Sequence, residues 1–201
     1  MSSLRHIHPD LGSDPRLDAY LDAARDCILD VGWRRTTLTE VAKRAGVSRM
    51  TIYRAWPDMG SLLGDLMTRE WVGIAAATRA AATDTTSPAG IAAAALATVR
   101  ALRDNELFVR IVELDPDLML PYLLARRGRS QEALIEILAA EIASGQAAGA
   151  IRAGDPVLMA RSMVLAGHGF VFSALTMVDA AVGLDELDAE LARLVTASLA
   201  P

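Results

Sequence analysis

The chain has 201 residues, 52% of them apolar and 22% charged, with a net charge of −5. That length allows one medium domain or a small domain joined to a larger one, and the apolar fraction excludes a disordered chain. Aromatic residues make up only 4%, so the apolar content is mostly aliphatic and suits packed helices better than sheets. Cys27 is the single cysteine, which excludes an intrachain disulfide and reads as a small buried thiol in a reduced, cytoplasmic protein.

In chain order, residues 1–14 read as a flexible arm broken by Pro9 and Gly12, without the apolar run of a signal peptide. A first helix is expected over Pro15–Val31. Leu17, Tyr20, Leu21, Ala24, Ile28 and Val31 recur there at helical spacing, with Pro15 at the start and Gly32 at the end. Thr37 and Glu40 have the spacing of a capping box, predicting a second helix over 38–45. Gly46 stops it, and Ser48 caps a third helix over 49–56. Pro57-Asp58 ends that helix and caps a long fourth over 59–82. Helical texture continues over Pro88–Arg103, 106–113, 117–127 and 130–148, then from the Asp155-Pro156 start to about 179, and over 185–199. No stretch alternates as a strand, so the expected class is all-α.

Two short helices joined by Ala45-Gly46-Val47-Ser48 form a helix-turn-helix signature. Glycine permits the turn conformation, and Val41, Ala42, Ala45, Val47 and Ile52 are the expected core. The charge distribution agrees with a nucleic-acid role. Residues 33–56 hold Arg34, Arg35, Lys43, Arg44, Arg49 and Arg54 against Glu40 alone, a net +5 on a chain that is −10 elsewhere. Phosphate contacts need only local charge.

The run WRRTTLTEVAKRAGVSRMTIYRAWPDMGSLL over 33–63 resembles the DNA-binding domain of the TetR family of transcriptional regulators. The resemblance lies in the aromatic after glycine, the Thr-rich cap, the A-x-x-A-G-V-S segment, the T-I-Y that follows and a leucine pair. It is confined to the N-terminal part of the chain; the remainder matches in length and helical texture only. The family usually has lysine, a phosphate contact, where this chain has Met59, and phenylalanine where it has Trp56. The resemblance implies a three-helix DNA-binding domain over 15–60 and a larger helical domain over 61–201 for effector binding and dimerisation. A homodimer would read a pseudo-palindromic duplex with two recognition helices about 34 Å apart. Arg49 is the candidate for guanine readout, and Met50 and Thr51 for thymine methyls or phosphate. Tyr53, by resemblance, donates to phosphate; Thr37, Thr39, Arg44 and Arg54 are further backbone candidates. Arg34 and Arg35 read either as steering charges or as solvated ones. The segment Arg5-His6-Ile7-His8 reads either as a minor-groove arm or as a plain tail, and His6, His8 and Asp10 are too sparse for a metal site.

Residues 162–178 carry no Asp, Glu, Lys or Arg. A buried or interface helix is expected rather than a membrane span, for which so short a segment scarcely suffices. With 130–148 it would form the dimer bundle of the resembling family. Trp71, Phe108, Met119, Tyr122, Met163, His168 and Phe170 are candidate pocket residues, and also ordinary core types. A pocket of these residues implies an apolar effector with one hydrogen-bond anchor. No catalytic, nucleotide-binding or Cys/His metal signature occurs, so neither an enzyme nor a cofactor is implied. The alternative reading is a helical interaction protein with a degenerate reading head, and an activator would use the same head as a repressor.

Overall fold

The computed structural model describes residues 14–201, which form ten α-helices and three short 3-10 turns, with no strand among the described residues. The expected arm lies outside the described residues except for Asp14. That residue belongs to the first helix: its carboxylate accepts from the Arg16 N–H at 3.0 Å. The chain divides into two compact units after Leu66.

The first unit contains α1 (Pro15–Val31), α2 (Leu38–Arg44), α3 (Arg49–Ala55) and the start of α4 (Met59–Ala80). A 3-10 turn over Trp33–Arg35, not foreseen in the sequence, links α1 to α2. Leu21, Ala24, Cys27 and Ile28 of α1 are buried, as are Leu38, Val41 and Ala42 of α2 and Ile52 of α3. Fully burying a side chain such as Ile52 contributes about 2 kcal/mol. Ala45 and Val47, expected in the core, are only half-buried, because they sit in the corner between α2 and α3 rather than on a helix face. The division falls beyond the boundary expected at residue 60. Leu62, Leu63 and Leu66 on the first turns of α4 are buried, and Asp65 accepts a hydrogen bond from Trp56, which gives those turns to the first unit.

The second unit takes the rest of α4, then α5 (Pro88–Arg103), α6 (Glu106–Leu114), α7 (Leu120–Leu124), α8 (Arg129–Ala147), α9 (Pro156–Phe172) and α10 (Leu184–Leu199). α8 lies along α9, α10 along α5, and α5 against α9. Their shared core holds Ile91 and Val99, Ile135 and Ile142, Met159 and Met163, and Leu191, Val195 and Leu199.

Two helices are shorter than expected. In place of one helix over 117–127 there is a 3-10 turn, Pro116–Leu118, followed by α7. Pro121 offers no N–H to continue a helix, and its carbonyl is taken by both the Ala125 and Arg126 N–H groups. The helix expected to reach residue 179 ends at Phe172. The Thr176 N–H and hydroxyl both donate to the Ser173 carbonyl, at 3.0 and 2.8 Å. That tightens the chain into a 3-10 turn. Asp179 then folds back, its carboxylate accepting from the Ala181 and Val182 N–H groups. No helix among the described residues is long and apolar enough to cross a membrane.

Candidate nucleic-acid interface

The local sequence fixes the ends of α2 and α3 firmly. Thr37 accepts from the Glu40 N–H at 3.2 Å, while the Glu40 carboxylate accepts from the Thr37 N–H at 2.9 Å. Gly46 has φ +69°, a conformation glycine reaches without strain. Ser48 then accepts from the Thr51 N–H at 3.2 Å, so α3 starts one tight corner after α2 ends.

α3 buries Ile52 completely and turns Arg49, Met50, Tyr53 and Arg54 outward. These four recur at the spacing of one helix face. Met50 is 63% exposed and Tyr53 46%, an unusual display for two large side chains on a seven-residue helix. The side chains of Arg49, Tyr53 and Arg54 make no hydrogen bond or ion pair among the described residues. Thr39 and Lys43 are exposed on α2.

Other candidates have work inside the protein. The Thr37 hydroxyl donates to Glu40 at 2.9 Å, and the Thr51 hydroxyl lies 2.9 Å from that of Ser48. Arg44 is ion-paired with Asp30 of α1, whose hydrogen bond holds the guanidinium pKa above its usual value.

At the start of α4 stands Met59, half-buried. Asp58 caps the helix, accepting from the Ser61 N–H at 2.7 Å, and the Ser61 hydroxyl donates to the Asp58 carbonyl at 2.8 Å. Hydrogen bonding to the carboxylate by Ser61, from its backbone N–H first, holds the Asp58 carboxyl below its ordinary range. Trp56 does more than fill the place of a phenylalanine. It is 3% exposed, stacks edge-on with Tyr20, and donates Nε1–H to Asp65 at 2.6 Å.

In the second unit the sequence candidates fall into two groups. Met163 is buried in the core of α5, α8, α9 and α10, and Phe170 packs against that core. Trp71 packs edge-on against Phe108, with ring centroids 6.1 Å apart. Phe172, missed in the sequence, continues this row at 5.2 Å from Phe108 and 6.3 Å from His168. Its signal was its place four residues after His168 on the same helix face. Gln131, also missed, reaches His168 at 3.3 Å and donates to the Tyr122 carbonyl at 3.2 Å. Met119 is buried and Tyr122 half-buried, with the Arg126 guanidinium over its ring.

Residues 21–66 match the family model of the bacterial regulatory proteins of the tetR family. An uncharacterized HTH-type transcriptional regulator of Mycobacterium bovis is 35% identical over 171 residues, covering 85% of this chain and 87% of its own. The regulator AlkX of Mycobacterium tuberculosis is 53% identical over 36 residues, 18% of this chain and 17% of its own. Among solved structures, the Rhodococcus erythropolis transcriptional repressor QsdR aligns with a TM-score of 0.70 at 17% identity, covering 94% of this chain and 98% of that one. AlkX from Dietzia aligns with a TM-score of 0.67 at 21% identity, covering 92% and 94%. This chain belongs to the TetR family of transcriptional regulators, DNA-binding helix-turn-helix proteins rather than enzymes.

Proposed function

We propose that the chain is a cytoplasmic repressor that binds a pseudo-palindromic operator as a homodimer and leaves it when a small apolar effector occupies the C-terminal domain. One observation carries the DNA part. Arg49, Met50, Tyr53 and Arg54 stand outward on α3, while Ile52 closes the other face. A guanidinium at the N-terminal end of such a helix pairs with guanine, Met50 meets thymine methyls, and Tyr53 and Arg54 hold phosphates. Thr37, Thr39 and Thr51 have only secondary backbone roles, and Arg44 would have to leave Asp30 to join them.

The homodimer is supported by α9. Leu158 and Leu165 are 62% and 73% exposed, and the exposed Ala166 and Gly169 beside them permit close helix approach. A lone chain does not keep such a face in water without cost. Repression is supported by the descriptions of QsdR and of SmeT from Stenotrophomonas maltophilia as repressors. The effector is supported by the apolar ring row of the second unit. It would act by favouring a dimer whose heads no longer match the half-site spacing.

The test is titration of the DNA flanking the chain's own gene, followed by fluorescence anisotropy. Arg49→Ala should cost about 1–3 kcal/mol and relax specificity at one base position. Tyr53→Phe should weaken binding to all sequences alike. Parental binding by both variants sinks the assignment. A second reading, an interaction protein with a degenerate head, is favoured by Met59 and the Asp58 carboxylate at a phosphate-contact position. It predicts no sequence-specific complex from folded dimer at moderate salt.

A further inference from the structure

The Trp71 indole Nε1–H is buried and has no hydrogen-bond partner. A buried donor left unpaired is costly and rare in native proteins. Its setting is apolar, with Phe108 against the ring and Phe172 beyond it. At the far end of the same ring row stands His168, in edge contact with Phe172.

The hydrogen bonds around His168 assign its tautomer. Gln131 Oε1 accepts from the Gly128 N–H at 2.6 Å, which makes the other terminal atom the amide nitrogen. That nitrogen donates to the Tyr122 carbonyl and, at 3.3 Å, to His168 Nε2. The imidazole therefore accepts at Nε2 and carries its hydrogen on Nδ1. Burial pushes its pKa below the ordinary histidine range, so the ring is neutral at physiological pH. The row thus ends in the unpaired Trp71 Nε1–H on one side and, on the other, a neutral imidazole whose hydrogen sits on Nδ1, with phenyl rings between.

From this we infer that Trp71 and His168 are the polar anchors of the effector site, and that the effector is a neutral, mostly aliphatic or aromatic molecule with a hydrogen-bond-accepting oxygen of the ketone, ester or amide kind. The inference rests on the effector reading above and narrows it. A donor-only pair selects against molecules whose sole polar group is a donor. A neutral imidazole at the end of the row, beside Phe172, offers a carboxylate no counter-charge.

Three eight-carbon probes separate the cases: 2-octanone, n-octane and octanoate, each titrated into the full-length protein by calorimetry alongside thermal melting. The expected order places 2-octanone roughly three- to tenfold tighter than n-octane, as one good hydrogen bond implies. Octanoate should be the weakest of the three. Trp71→Phe should lower ketone affinity more than alkane affinity, bringing the two together, and alkane binding that persists reports that the variant is folded. His168→Phe should do the same in part. If octane and octanone bind alike, or Trp71→Phe keeps the ketone preference, the anchors are refuted and the effector reading stands. If octanoate binds best, the neutral class is refuted. If no probe binds or shifts the melting temperature, the apolar effector reading itself fails.

Discussion

The indole of Trp56 ties the end of the reading helix to the start of α4, and its contribution is open to direct measurement. Trp56 is 3% exposed and donates to the Asp65 carboxylate at 2.6 Å. A hydrogen bond to a charged acceptor contributes about 1.5–3 kcal/mol. Trp56→Phe removes it and also leaves unfilled the volume of the larger ring, a further ~1 kcal/mol. The edge contact with Tyr20, at 6.5 Å between centroids, survives in the phenyl ring. The expected loss is therefore about 3 kcal/mol. Asp65→Ala should lose about 2 kcal/mol by leaving the indole donor buried and unpaired. Because both changes remove the same bond, the double variant should be less destabilised than the sum, with a coupling of about 1.5 kcal/mol. Urea unfolding followed by far-UV circular dichroism measures all four proteins. A coupling no larger than that of distant, independent sites would mean that the bond is incidental and that Trp56 acts by volume alone.

Other perturbations address the interface and the larger unit. Met59→Lys should restore a phosphate contact in each half-site, making the plot of log K against log salt steeper by about 0.9 per contact; an unchanged slope in anisotropy titrations rules the position out. Asp188→Asn should destabilise by about 3 kcal/mol in thermal or urea unfolding. Asp188 is 1% exposed and accepts from Arg103 Nη2 at 2.7 Å and Arg100 Nε at 2.6 Å. Burial alone would raise the Asp188 carboxyl, but these hydrogen bonds and charges outweigh it and hold the group below its ordinary value. The unfolded chain then binds its proton first, so stability present above about pH 4 falls as the solution is acidified through that range. Asp188→Asn should flatten that acid limb.

Much of this architecture is legible without coordinates because punctuation is local. Pro15 and Gly32 bound α1, Ser87 and Pro88 start α5, and Thr37 with Glu40 start α2, all through neighbours close in sequence. The end of α9 is less legible. It turns on a threonine hydroxyl competing for one carbonyl, and residues 173–178 remain as apolar as the helix before them. The pairing of Arg100 and Arg103 with Asp188 joins α5 to α10, far apart in the chain, and has no sequence signal. The same holds for Gln131 and His168. Their contact depends on how α8 and α9 are rotated against each other, which side-chain periodicity does not specify to one residue.

Charge counting shows most clearly where sequence reasoning needs the structure. The +5 of residues 33–56 overstates the field at the reading face. Arg44, one of its six cations, is neutralised by Asp30, which lies outside that window. Asp58 adds a carboxylate, held in its charged form by the cap, at the edge where the family usually has a lysine. The cations that remain without a partner among the described residues include Arg49 and Arg54, both on α3. Non-specific affinity scales with phosphates neutralised, whereas discrimination comes from base edges. A head that keeps free cations on the recognition helix, beside Lys43 of α2, and gives up a phosphate contact at the start of α4 loses more non-specific than specific affinity. On this argument the chain should release random duplex at lower salt than a relative with lysine at position 59, while keeping its preference for its operator.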